Sequence, residues 1–257
     1  LSFIFQEDLR DIGNPSVFIL LCTEEENPSK GGPLDTQYFS LNLRGGIIQD
    51  LYYNVFGTFG TGRVLSFMPD SASETGGSYQ YSTKLSFLTG FRLNYYIKEL
   101  LYSSFMLEFV YSSGDKDSDG FLEGNREGFS TNFLPITGYS TGSVFSPSMG
   151  NITYGQLQYS LKPFSNSNVY ILTNFQASAQ FFMFFRSQKE GPVSEEASIA
   201  AHDSPYLGSE LDISANFRPF SDLGSSLTVG VFLPSNQFAE SFDTIRLLVK
   251  LKASISY

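Results

Sequence analysis

The sequence predicts an all-β protein, an antiparallel transmembrane β-barrel forming one domain over residues 1–257. Three observations predict it. In residues 243–257, Ile245, Leu247, Val249, Leu251, Ala253, Ile255 and Tyr257 alternate with Arg246, Lys250, Lys252, Ser254 and Ser256, Leu248 being the one exception. A period of two over this length is a strand with one apolar and one polar face. It exceeds the roughly 5–6 residues of an average globular strand and meets the about 9–11 that a tilted membrane-crossing strand needs. The composition is the second observation: 41% apolar, 16% aromatic with 26 Phe and 15 Tyr but no Trp, and only 16% charged, where soluble domains carry about 25%. The third is that the connections between strands alternate short and long, as periplasmic turns and extracellular loops do in outer-membrane barrels.

Taken in order, residues 1–6 read as a strand fragment, and Gly13-Asn14-Pro15 punctuates the turn after it. Residues 17–23 are a continuous apolar run read as a strand, and 24–35 a polar loop containing Gly31-Gly32-Pro33. In 36–47, Phe39, Leu41 and Leu43 oppose Ser40, Asn42 and Arg44, while Tyr38 is ambiguous. A turn at 48–50 leads to 51–62, where Tyr53, Val55 and Phe59 share a face; 68–78 is a Ser/Gly-rich loop. Residues 81–97 alternate best, with Leu85, Phe87, Phe91, Leu93, Tyr95 and Ile97 against Lys84, Ser86, Gly90, Arg92 and Asn94. After a turn at 98–100 the pattern resumes through Phe105, Leu107, Phe109 and Tyr111, with Glu108 and Ser112 opposite.

Residues 113–149 are the longest irregular stretch. Strands over 152–161 and 169–185 follow, joined through Lys162-Pro163-Phe164-Ser165-Asn166, and then a loop at 187–205. In 207–217, Glu210, Asp212, Ser214, Asn216 and Arg218 oppose Leu211, Ile213, Ala215 and Phe217. A strand at 226–233 precedes the closing one. The count is eleven, whereas single-chain bacterial barrels have even numbers. Either residues 1–7 do not span, leaving about ten of the 10–12 strands expected, or upstream strands lie outside this chain as part of a larger even-numbered barrel.

Several function classes are disfavoured. No run of about 18 apolar residues marks a membrane helix, and Leu1-Ser2-Phe3 has no basic segment of a signal peptide. A lone cysteine, Cys22, leaves no intrachain disulfide or multi-cysteine metal site. A net charge of -10 argues against nucleic acid. The single histidine, His202, sits in a loop, so a Ser/His nucleophilic pair is not expected and neither is an enzyme. Gly57, Gly60 and Gly62 resemble a phosphate loop in composition, but no helix follows; they read as small lumen or bend residues.

Three segments carry a family resemblance. Tyr111-Ser112-Ser113-Gly114-Asp115, Tyr206-Leu207-Gly208-Ser209-Glu210-Leu211-Asp212 and Gly230-Val231-Phe232-Leu233-Pro234 resemble strand ends of the alginate-export-like outer-membrane porins. The resemblance reaches back through 36–60 to about residue 16 and would cover the C-terminal part of a barrel. It implies an Arg-rich conduit for an anionic polysaccharide. Ile255 and the terminal Tyr257 resemble the signal by which the barrel-assembly machinery recognises its clients, with Lys252 where glycine is common.

The expected pore-lining charges are Arg44, Lys84, Arg92, Arg186, Arg218, Arg246, Lys250 and Lys252, against Glu108, Glu210 and Asp212. A basic lining favours anions; the alternative is that these charges pair and fill a closed barrel. Asp115, Asp117 and Asp119 open like a calcium loop, yet the twelfth position is Arg126 and only Glu123 and Glu127 lie near, so this is no EF-hand. A structural Ca²⁺ there competes with a solvated acidic loop, and no other cofactor is expected. Tyr52, Tyr53, Tyr95, Tyr96, Tyr111 and Tyr257 suit interfacial girdles, with sugar stacking as the alternative.

The sequence therefore predicts a channel at the bacterial outer membrane and cell surface, surrounded by lipid. It would pass small hydrophilic, anionic solutes or a polysaccharide by diffusion. A barrel plugged by residues 113–149, whose acidic outer loops act as an adhesin or receptor, is the alternative. A soluble barrel carrying an apolar ligand would need the apolar face inward.

Overall fold

In the computed structural model, residues 2–7, 34–69, 77–118, 128–135, 138–139, 141–194, 204–220, 222–235 and 244–255 are described. Among the described residues ten strands form one antiparallel meander in sequence order. They are β1 (Ser2–Glu7), β2 (Leu34–Ile48), β3 (Leu51–Pro69), β4 (Gly77–Ile97), β5 (Ser103–Ser112), β6 (Ile152–Leu161), β7 (Phe175–Arg186), β8 (Tyr206–Phe217), β9 (Leu223–Pro234) and β10 (Arg246–Ile255). Among the described residues β1 pairs only with β2 and β10 only with β9, so the sheet is open at these edges. Among the described residues no helix is long and apolar enough to cross a membrane. The expected strand at 17–23 lies outside the described residues.

Two sequence expectations change. The run 169–185 does not enter the sheet at once: Tyr170–Asn174 is a 3₁₀ turn, and β7 starts at Phe175 opposite Phe217. Alternation alone cannot see this, because the neighbouring strand ends there. The Ser/Gly-rich stretch 68–78 enters the sheet at both its ends, with Met68 paired to Ser78 and Pro69 to Gly77, while 70–76 lie outside the described residues. Backbone pairing to an adjacent strand overrides its weak local propensity. As a result the connections are less regular than expected: 162–174 is the longest on the short-turn side, and 70–76 the shortest on the other.

Face assignment is uniform. Outside bulges at Gly46/Ile48 and Phe184/Phe185, every ladder joins even-numbered to even-numbered residues, as in Tyr38↔Gly60, Gly60↔Ser86 and Arg92↔Glu108. Because side chains alternate with a period of two, even positions from β2 to β10 therefore share one face. The odd face is apolar and unpacked: Leu41, Phe59, Phe91, Phe109, Leu157, Ile213 and Leu251 are all exposed, Ile213 to 56% and Leu251 to 79%. Each such side chain gains roughly 1.5–3 kcal/mol when removed from water, and a continuous apolar face of this extent marks a surface for contact with protein or membrane. Phe87 stacks on Tyr111 at 5.4 Å and Phe91 on Phe109 at 6.1 Å across β4 and β5 on this face.

The packed core lies on the even face. Tyr38, Val110, Ile152, Tyr154, Phe182, Phe184 and Phe232 from the strands meet Phe133, Phe145 and Met149 from the 113–151 connection. That connection leaves β5, returns to the sheet by a bridge between Ser130 and Lys84, and then covers the even face. Ser130 sits where β5 has already ended, exchanging main-chain hydrogen bonds with Thr83 and Leu85 of β4. Tyr38, ambiguous by sequence, points inward over Gly60 and donates to Leu134 O at 2.6 Å.

A candidate lumen and its inserted segment

All eleven charged residues expected to line a lumen carry even numbers, and the strand registers place the ten within strands on the one polar face; Arg218 follows β8 directly. One row of partners crosses nine strands: Arg44, Asn54, Arg92, Glu108, Gln156, Phe182, Glu210, Phe232 and Arg246. The surroundings divide these residues into two groups.

Toward the long connections, Lys84, Glu108, Arg186, Glu210 and Asp212 are buried. Lys84 Nζ donates to Asn132 O and feels the Asp115 carboxylate. Glu108 accepts from Tyr154 Oη at 2.6 Å, from Tyr139 Oη at 3.1 Å and from Arg92 Nε, which links three strands to the inserted segment. Burial first, and then the Glu108 carboxylate, push the Tyr139 phenol above its ordinary range. Glu210 accepts the N–H groups of Val144 at 2.8 Å and Phe145 at 2.7 Å, and Asp212 accepts that of Ser143 at 3.1 Å. Hydrogen bonds to a charged group contribute about 1.5–3 kcal/mol each.

Two glycines make room for this clamp. A Cβ on Gly142 would run into the Glu210 carboxylate, and one on Gly230 into Asp212 Oδ1 and, at 2.7 Å, into Val144 Cγ2. Phe145 fills a slot between Phe232, stacked at 4.7 Å, and Phe184, edge-on at 5.0 Å. Behind it, Asn151 adopts φ 56°, a left-handed conformation that Asn tolerates better than most residues. Its amide Nδ2 donates to Gly191 O at 2.7 Å and its Oδ1 accepts Gln188 N at 2.7 Å, tying the segment to the connection after β7.

Toward the short turns the same face is polar and less covered, although Ser160 and Gln156 are buried. Ser104 pairs with Ser160 at 2.7 Å and Ser214 with Thr228 at 2.9 Å; Ser178 lies between them in register and Lys250 ends the row. Gln156 donates to Gln180 at 3.2 Å one level higher. Arg44, Lys250 and Lys252 are exposed and form no ion pair among the described residues. At the rim a cleft of about 1090 Å³ is lined by Lys162, Asn174, Gln176, Asn216, Arg218 and Lys252 among others. The hydroxyl rows were not singled out in the sequence, although Ser at even positions of successive strands was the available signal.

The remaining expectations separate as follows. Asp115 is buried and its carboxylate accepts from Thr131 N at 2.9 Å and Asp117 N at 3.4 Å; Asp119, Glu123, Arg126 and Glu127 lie outside the described residues, as do His202, Cys22 and Tyr257. Among the described residues no three His, Cys, Asp or Glu side chains gather as metal ligands. Of the tyrosines, Tyr53, Tyr95 and Tyr111 are on the apolar face, whereas Tyr52 and Tyr96 take even positions and meet edge-to-face at 5.9 Å. Beside them Lys98 pairs with Asp50 at 2.8 Å, and that hydrogen bond raises the pKa of its amine. Compared with protein-family models and with curated proteins, the chain matches none.

Proposed function

We propose that this chain forms the wall of a channel in the bacterial outer membrane, passing hydrophilic, preferentially anionic solutes or a polysaccharide strand by diffusion. The observation that carries the reading is the opposition of the two faces. An exposed apolar surface runs over one face of every strand from β2 to β10, and the opposite face, where the 113–151 connection does not cover it, is polar with exposed Lys250 and Lys252. Apolar-out and polar-in alternation is what lipid requires of a barrel, and it is the reverse of a soluble ligand carrier. In lipid the edges of β1 and β10 must also find partners, since unpaired N–H and C=O groups cost several kcal/mol each there.

In this reading the inserted segment narrows the outer half, and the hydroxyl-lined half with Arg44, Lys250 and Lys252 selects by charge. Passage would need no chemical reaction. The resemblance to alginate-export-like porins supports an anionic cargo. A specific observation favours a second reading: the segment 128–151 fills the outer half with an apolar core, which suits a plugged surface receptor.

Single-channel conductance in a planar bilayer, with the reversal potential under a salt gradient, separates the two. A stable open level with anion selectivity is the expected result. Heat-modifiable, folded protein without conductance would leave the receptor.

A further inference from the structure

We propose that Glu210 and Asp212 are a releasable latch, and that acid undocks residues 141–149 from the inner wall and so widens the passage. This rests on the channel reading only for its last clause. The segment is held to the barrel wall by two kinds of contact: three consecutive N–H groups, at Ser143, Val144 and Phe145, seated on two neighbouring carboxylates, and the Phe145 ring in its slot between Phe184 and Phe232. Protonation converts two anionic acceptors into neutral acids, each bringing an O–H that competes for the same space, so the charge-assisted part of the grip is lost.

Few other groups titrate against the latch. Residues 141–151 contain no ionisable side chain, and neither does β9. β7 contributes Arg186, β6 Tyr154, and β5 Glu108, already tied to Arg92, Tyr139 and Tyr154. β10 contributes Arg246 in the Glu210 row, with Lys250 and Lys252 further along the strand. Arginine and lysine side chains in general take up no further proton in acid, so the carboxylates carry the change.

Met149 is fully buried at the end of the segment, while Ser146, three residues before it, is exposed. This pair makes a position reporter that needs no conductance. With Cys22→Ser as background, Met149→Cys and Ser146→Cys are labelled separately with a water-soluble thiol reagent in the folded protein, and the ratio of their rates cancels the reagent's own pH dependence. The expected ratio rises at least tenfold from pH 7 to pH 4.5. In E210Q/D212N it is already high at pH 7 and flat below. A ratio unchanged by pH and by the double variant overturns the latch. If the double variant gives no heat-modifiable band, the pH series on the unaltered latch decides alone. Should the ratio rise while the bilayer stays silent at every pH, the latch stands and the channel reading falls.

Discussion

The two halves of the inner face differ in what holds them together. Toward the long connections, buried polar side chains reach main-chain groups of a segment far away in sequence: Glu210 accepts from N–H groups 66 and 65 positions distant, and Tyr38 donates to a carbonyl 96 positions distant. Toward the short turns, hydroxyls and amides satisfy one another between adjacent strands, and the cations face open space. The first arrangement is a small protein core built on one side of a sheet. The second is a wetted wall. The same alternation of polar and apolar residues generates both, so patterning places a residue on a face but does not say whether anything covers it.

The largest expected effect breaks the covered half. Phe145→Ala removes the ring between Phe184 and Phe232, a truncation that costs about 3–5 kcal/mol in a packed core. Most of that loss falls on docking of the segment, so thermal unfolding in detergent should show a lowered or split transition while the heat-modifiable barrel band persists. Loss of the barrel band itself would mean that the inserted segment holds the whole wall together.

Next comes the distinction between faces, tested at two neighbouring positions. Ile213→Arg places a cation on the outward face, where the cost is about 2–4 kcal/mol at mid-bilayer. Ser214→Arg, one residue on and facing inward, removes the hydroxyl bond to Thr228 and should cost about 0.5–1.5 kcal/mol. Equal penalties in a lipid-vesicle folding titration would contradict the assigned orientation.

A smaller effect concerns the wetted half. Lys250→Glu with Lys252→Glu reverses the charge of two exposed residues without touching a packed contact, so stability should stay within about 0.5 kcal/mol. The reversal potential should move toward cation selectivity. An unchanged reversal potential would assign selection to the covered half instead.

The smallest effect is at the rim. Asp50→Asn removes the partner of a fully exposed lysine, and surface pairs are screened and weak. A raised amine pKa contributes stability that is complete below the unfolded value and fades as pH rises through the folded one, so the pair matters only up to the alkaline range. Asp50 also sits at φ 62°, which Asn accommodates at least as well. The variant should melt as the parent does from pH 6 to 8.

The even-numbered face was legible from sequence because a period of two survives any sheet geometry, and Arg44, Lys84, Glu210 and Lys250 all followed it. The inserted segment was not. Gly142, Ser143 and Val144 have no periodicity, and their partners lie on β8, across two intervening strands from β5. The 3₁₀ turn at Tyr170–Asn174 escaped for a related reason, since Val169, Ile171 and Phe175 alternate like a strand but have no strand beside them until Phe217. Tyr52 and Tyr96 show the same limit in miniature: their parity fixed the side, while their place at the strand ends had suggested the opposite one.

The shared parity of all the ladders bears on how such a wall can change over generations. Losing or gaining one residue inside a strand would turn every later position on that strand to the wrong side. Unless a bulge absorbs the extra residue, as at Gly46/Ile48 and Phe184/Phe185, residues can therefore be added within strands only in pairs, whereas connections may vary freely. A whole hairpin carries its own parity with it. Copying or deleting one leaves every remaining strand correctly oriented, so this wall can be widened or narrowed two strands at a time without redesigning a single face.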